Sequence, residues 1–376
     1  MNTTDIGAYD GSPMRLRTAY NSNKAYDSRS EYVNVSWRHS DDMSLDTHAG
    51  VNEDKPWNLL RQSTSMVILL TLAYLIVFTL SIINNSLVVA AIYRNTNLRT
   101  VTNYFIANLA IADIMVSILV LPITLLSNLF EEWWFGQLLC KGAPYLQGVA
   151  VSASVNTLAA VAVERYLAIF YPKTKRLSPQ LALIIISLIW VLALCISIPW
   201  LLVYTEWTLP IRMPPRIYDY VTCMQIWKDP AMQRGYILGV VFLSCYLIPL
   251  VFIAIFYLLI GIRVWKRRVM GIRGTRTERN IHRSKIRIVR MLLAVFIIFA
   301  LSWLPLYSLW MRAMFGSKPG SQEKVVLRRY ITPLAQWLGA ANSCVNPFIY
   351  CYFSANFRKS IVAVLRSRTC CSRIDV

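Results

Sequence analysis

CKGAPYLQGVAVSASVNTLAAVAVERYLAIFYP, residues 140–172, is the stretch on which the fold turns. After Lys141 it carries no charge until Glu164-Arg165. A helix from Cys140 to Arg165 would rise about 37 Å at ~1.5 Å per residue. That exceeds the ~30 Å hydrocarbon core of a bilayer, so Cys140 would lie at one membrane surface and Arg165 at the other. Between them, Gln147, Ser154 and Asn156 place polar groups at intermediate depths.

The rest of the chain fits that reading. Hydrophobic residues make up 56% and charged residues 15%, against about 25% charged in soluble domains. Seven apolar runs are long enough to cross a bilayer, near 66–93, 103–126, 139–170, 181–203, 235–262, 287–313 and 329–352. The fold class expected is an all-α membrane protein, a bundle of seven transmembrane helices. The net charge of +20 reads as basic cytoplasmic loops rather than a nucleic-acid surface. Residues 263–290 form the most basic connection, with eleven Lys/Arg against Glu278, and further basic residues follow the seventh run. Seven Lys/Arg and nine Asp/Glu precede the first run. The basic side faces the cytoplasm by the positive-inside rule, so the N-terminus is expected outside.

Residues 1–61 are polar and lack periodicity, the composition of a disordered tail. Without a basic n-region and an apolar run it reads as no cleavable signal peptide. Asn2 and Asn34 head glycosylation acceptor patterns. The receptor-sized core spans 62–352. In 353–376, apolar Phe353, Phe357, Ile361 and Leu365 share one stripe, as expected of an amphipathic helix on the membrane surface. Cys370 and Cys371 beyond it are either palmitoylation sites, which would add a lipid anchor, or plain thiols.

Polar side chains inside apolar spans are costly and mark the bundle interior. Asp113 is the sole carboxylate deep in a span, in the company of Asn85, Asn108, Ser154, Asn156, Asn342, Ser343 and Asn346. Such a set suits a small hard cation, a proton on Asp113, or a structural polar network. Pro305 beside Trp303, and Pro347 between Asn346 and Tyr350, each remove a helix hydrogen bond next to aromatic and polar groups, an arrangement suited to a switch.

Taken in order, Asn85, Leu109-Ala-Ile-Ala-Asp113, Cys140, Glu164-Arg165-Tyr166, Trp190, Pro249, Tyr257, Phe299-Ala-Leu-Ser-Trp303-Leu-Pro305 and Asn346-Pro-Phe-Ile-Tyr350 resemble the rhodopsin-like (class A) family of G-protein-coupled receptors. Asn84 departs from the family's usual glycine. The resemblance implies a Cys140–Cys223 disulfide and a resting contact of Glu164 with Arg165. It also implies a relay through Tyr166, Tyr257, Phe299, Trp303, Pro305, Asn346, Pro347 and Tyr350 to a heterotrimeric G protein and to arrestin, and no enzymatic activity. Asp113, Ser154, Asn342 and Asn346 resemble the family's allosteric sodium site, the one cofactor expected, although Ala150 stands where many relatives have asparagine. Arg287 and Lys285 stand where some relatives carry an acid facing Arg165, which predicts ligand-independent signalling.

By the same resemblance, Gln147 replaces the aspartate of amine receptors and Ala340 the lysine of opsins. Pro144-Tyr-Leu-Gln147-Gly-Val-Ala-Val-Ser is similar to the third helix of the orexin, neuropeptide FF and trissin receptor group. An extracellular neuropeptide is therefore the ligand expected, with a lipid or other small molecule as the alternative. Gln147, Thr124, Gln225 and Gln336 offer neutral hydrogen bonds, and Leu306, Tyr307 and Trp310 offer walls. Alternating residues around Cys223 predict a β-hairpin between spans four and five. The protein is expected in the plasma membrane, in contact with lipid.

Overall fold

A computed structural model describes residues 59–171, 177–213, 216–269, 276–317 and 320–366. Asn2, Asn34, Cys370 and Cys371 lie outside the described residues.

Among the described residues, six helices are long and apolar enough to cross a membrane. They are α1 (Thr64–Arg94), α2 (Val101–Leu129), α3 (Gly136–Phe170), α4 (Pro179–Val203), α5 (Pro230–Lys266) and α6, whose apolar part is Ile286–Phe315 within Arg276–Phe315. A seventh, α7 (Thr332–Phe353), is less apolar because it carries Asn342, Ser343 and Asn346, all of them buried against the bundle. Its polarity points inward, where partners offset the cost. α8 (Ala355–Arg366) follows after one residue and buries Phe357 beneath Tyr350, with ring centroids 5.9 Å apart.

The apolar runs extend beyond their predicted limits because helices continue past the hydrocarbon into water. The clearest departure is the basic stretch 263–290. Instead of a loop, most of it is helix: α5 continues past its membrane span, which ends at Lys266, to Val269, and α6 begins at Arg276. Lys and Arg are good helix formers in water, so basic composition alone does not mark a loop.

α3 is the central helix and packs on α2, α4, α5 and α6. Much of it is buried, from Cys140 through Val149, Val155 and Val161 to Glu164. Small residues permit the close approach: a β-carbon on Gly148 would stand 3.1 Å from the Trp200 indole of α4. Leu, Ile and Val on the outer faces of α1, α4 and α5 are exposed, as a lipid-facing surface requires.

The predicted hairpin forms. Strands β1 (Tyr204–Met213) and β2 (Arg216–Gln225) pair antiparallel from Tyr204↔Gln225 to Met213↔Arg216. A disulfide joins Cys223 of β2 to Cys140 at the start of α3, with Cα atoms 5.6 Å apart. The α2–α3 turn is fixed by Trp133, whose backbone N–H donates to the Val221 carbonyl at 2.9 Å and whose indole N–H donates to the Gly136 carbonyl at 3.1 Å. Gly136 has φ of 73°, a conformation open to glycine at little cost.

Candidate ligand cavity and transmission site

At the disulfide end the helices part around a cavity of about 930 Å³. Its depth is apolar and neutral. Trp303, Leu306, Tyr307 and Trp310 come from α6, Trp200 from α4, and Tyr236 from the start of α5. Gln147 of α3, Thr124 of α2 and Gln336 of α7 supply uncharged polar groups. Arg61, Glu131, Glu132, Arg312, Lys324 and Arg328 also line it, all near the disulfide end of the bundle.

Six of the seven ligand residues expected from the sequence, Gln147, Thr124, Leu306, Tyr307, Trp310 and Gln336, therefore share this cavity. Gln225 does not line it. Its amide donates to the Tyr204 hydroxyl at 3.1 Å and accepts from the Trp227 indole at 3.0 Å, closing the base of the hairpin. Asn128 is a cavity residue the sequence did not single out. It donates to the Gln336 side-chain oxygen at 2.7 Å, which leaves the Gln336 amide N–H groups to face a ligand. Thr124 spends its hydroxyl proton on the Val120 carbonyl at 2.9 Å, so toward the cavity it can only accept.

The cavity floor leads into a column of rings along α6. Trp310 and Tyr307 have centroids 5.6 Å apart, Tyr307 and Trp303 6.4 Å, and Trp303 and Phe299 6.3 Å. Pro305 lies inside the continuous helix at this column, where it cannot donate a backbone hydrogen bond. Nearby, the Tyr246 hydroxyl of α5 donates to the Ala300 carbonyl at 2.7 Å. Tyr246 also stacks on Tyr307 at 4.2 Å. A ligand that moved Tyr307 would thus load both α5 and α6 beside Pro305.

Below the rings lies the Asp113 group. Asn346 donates to Asp113 Oδ2 at 2.9 Å. Ser117 donates to the Asp113 carbonyl at 2.7 Å and lies 2.6 Å from the Ser81 hydroxyl. Asn85 donates to the Ser343 carbonyl at 2.8 Å. The buried oxygens of Asn342 and Asn346 have no hydrogen-bond partner. A carboxylate beside unsatisfied oxygen acceptors fits a small hard cation. Ser154 is half-buried on α3 and Ala150 fully buried. Ser81 and Ser117 join this group although the sequence patterns did not single them out, and Ser343, which they did, contributes its backbone carbonyl.

At the other end, Arg165 is bonded to both carboxylate oxygens of Glu164 and to the Thr102 hydroxyl of α2. Thr102 in turn donates to Glu164 at 3.0 Å. The tie runs between α3 and α2, and α6 presents Arg287 exposed at this end. Tyr166 meets Phe256 of α5 edge-on at 5.1 Å, and the Arg263 guanidinium lies 5.4 Å from the Phe170 ring. Tyr257 is buried on α5 against Phe296 of α6, while the buried Tyr350 hydroxyl is unpartnered. Asn108 links three helices, donating to Thr157 at 2.8 Å and accepting from the Trp190 indole at 2.7 Å.

Comparison with known proteins matches residues 84–350 to the family described as 7 transmembrane receptor (rhodopsin family). The chain is 35% identical to human neuropeptide FF receptor 1 over 347 residues, 91% of this chain and 80% of that protein. It is 37% identical to neuropeptide FF receptor 2 of Rattus norvegicus over 292 residues, 76% of this chain and 70% of the relative. It is 32% identical to the RYamide receptor of Drosophila melanogaster over 340 residues, 88% and 70% of the two chains.

Proposed function

This chain belongs to the rhodopsin family of seven-transmembrane receptors, and from that footing we propose that it is a plasma-membrane receptor for an extracellular neuropeptide. It reports binding to a cytoplasmic heterotrimeric G protein. The observation that carries the reading is the 930 Å³ cavity, wide enough for several peptide residues, neutral in its depth and charged near the disulfide end. The relatives named for neuropeptides agree with it. In the orientation that follows, the N-terminus, the hairpin and the disulfide are extracellular, and Arg165 faces the cytoplasm.

The distribution of charge says which part of a peptide goes deep. A free carboxylate or ammonium buried among Trp303, Tyr307 and Gln336 would lack a counter-ion, at a cost of several kcal/mol. The inserted end is therefore uncharged, as an amidated C-terminus is, and Gln336 donates to its carbonyl oxygen. The peptide displaces Tyr307 and Trp303, α6 moves about Pro305, and Arg165 leaves Thr102 and Glu164 to meet Tyr257 and the G protein. Asn346, Pro347 and Tyr350 carry the parallel path through α7. Arrestin binds the same cytoplasmic face, and α8 rests on membrane lipid. Asp113, Asn342 and Asn346, with Ser154, would hold a sodium ion, whose charge would compensate the buried Asp113 carboxylate.

The test is a calcium and cAMP response in cells expressing the full chain, challenged with amidated neuropeptides, their free-acid forms, and a lipid panel. The reading expects one amidated peptide family to act and its free acids to be at least about tenfold weaker, a difference of ~1.4 kcal/mol. Responses to lipids alone would overturn it.

A further inference from the structure

Four groups distant in sequence meet at the cavity mouth. Arg61 precedes α1, Glu131 lies in the α2–α3 turn, Tyr220 is on β2, and Arg328 stands just ahead of α7. Arg61 is placed by backbone pairing: its N–H donates to the Leu129 carbonyl at 2.8 Å, and Glu131 N–H donates to the Leu59 carbonyl at 3.1 Å. This makes the segment before α1 a short antiparallel strap on the α2–α3 turn, with Leu60 opposite Phe130.

Glu131 is the common acceptor. Arg61 Nε donates to its Oε2 at 3.4 Å, and an Arg328 Nη donates to its Oε1 at 2.8 Å. The Tyr220 hydroxyl lies 3.0 Å from the Glu131 carbonyl and 3.2 Å from Oε1. One carboxylate thus faces two guanidiniums. Burial and the like charge of Arg328 outweigh Glu131 and lower the pKa of Arg61. Burial also works against the charge of Arg328, but its bonds to Tyr220 and Glu131 raise it. Arg61 is the guanidinium left under-compensated. It spends one Nη on the Ser127 carbonyl at 3.1 Å, and its other Nη retains donors. Arg61 and Arg328 both line the cavity.

We propose that Arg61 and Arg328 form an anion subsite at the cavity mouth that takes an acidic side chain of the peptide ligand. The proposal rests on the peptide reading above and adds a second determinant to it. The neutral end occupies the depth, and an aspartate or glutamate further back lies across Arg61, making two anions for two cations. Glu131 orients the pair and competes with the ligand for it. A cationic ligand group would instead place three positive charges about one carboxylate. In a simple latch between turn and helix, by contrast, the pairing would be its own end and no ligand charge would be read.

The sign of two substitutions separates these cases. The probe is whichever peptide of the amidated panel activates the wild type, scanned with aspartate at each position. Wild type, Arg61→Gln, Arg61→Lys and Glu131→Gln are compared at equal surface expression. At one position or more, aspartate should raise wild-type potency about tenfold, equivalent to ~1.4 kcal/mol. The gain should vanish in Arg61→Gln, persist largely in Arg61→Lys, and grow in Glu131→Gln. The subsite is overturned if aspartate never helps, if its gain survives Arg61→Gln, or if Glu131→Gln weakens the peptide while Arg61→Gln does not. Silence of the wild type to every peptide is a separate failure, that of the peptide reading itself.

Discussion

Gly339 of α7 lies directly against Trp303 of α6: a β-carbon at Gly339 would stand 3.3 Å from two atoms of the indole ring. The indole N–H is buried without a partner. The ring is therefore held by shape rather than by a hydrogen bond, at the point where the cavity meets the Pro305 turn of α6. A larger side chain at 339 must push the ring out of that place. Gly339→Val is expected to raise ligand-independent signalling several-fold at matched surface expression, since overpacking costs on the order of 1–3 kcal/mol and the ring can escape it by moving. Basal cAMP or calcium, set beside Gly339→Ala as the milder change, checks this.

Thr102 offers a second route to the same readout. Its hydroxyl bonds both Arg165 and Glu164, and α6 supplies Arg287, not an acid, at that end. Thr102→Val removes both hydrogen bonds, each to a charged group and each worth about 1.5–3 kcal/mol. Basal signalling should rise above wild type. An unchanged or lower basal level at equal expression would show that Thr102 does not restrain Arg165.

Asn108 supports the fold rather than the signal. Asn108→Ala leaves the Trp190 indole N–H without an acceptor, while the buried Thr157 hydroxyl loses one donor but still donates to the Ala153 carbonyl at 2.7 Å. The cost is on the order of 1–3 kcal/mol for the one unsatisfied group, plus the bond lost at Thr157. Thermal unfolding of purified receptor should begin several degrees lower, and Trp190→Phe, which loses only one of the bonds, should fall between.

The disulfide carries the hairpin. Cys223→Ser frees β2 from α3 and, on the chain-entropy view, removes roughly 4 kcal/mol or more from a long closed loop. Surface delivery should fall, and the receptors that do arrive should lose at least tenfold in agonist potency because Tyr220 no longer reaches Glu131. Surface labelling together with a concentration–response curve separates the two losses.

Much of this architecture is legible in the sequence. The apolar runs place the seven helices, with ends within a few residues except where the fifth and sixth extend through the basic stretch to Val269 and from Arg276, and the alternation about Cys223 gives the hairpin. Asp113 stands out because a lone carboxylate in an apolar span has few explanations. Other features depend on partners far along the chain. Arg61 and Glu131 read individually as solvated surface charge, and only the strap at Leu60 and Phe130 brings them together with Arg328. Asn128 and Thr102 look like ordinary polar residues near helix ends until Gln336 and Arg165 appear beside them. Gln225 reads in the sequence as a neutral hydrogen-bonding group for a ligand, yet Tyr204 across the hairpin and Trp227 just beyond it use both ends of its amide. The basic run 263–290 shows the limit of composition, since charge there marks the cytoplasmic face and not the backbone conformation.

The central claim is that a peptide enters neutral end first and reaches Gln147, Gln336 and the α6 rings. The most direct measurement places a photoactivatable group at that end of an active peptide and maps the labelled receptor residues by mass spectrometry. The account predicts labelling of α3 around Gln147 and of α6 around Tyr307 and Trp310, abolished by excess unmodified peptide. Labelling confined to the hairpin and the Arg61–Arg328 rim would contradict it.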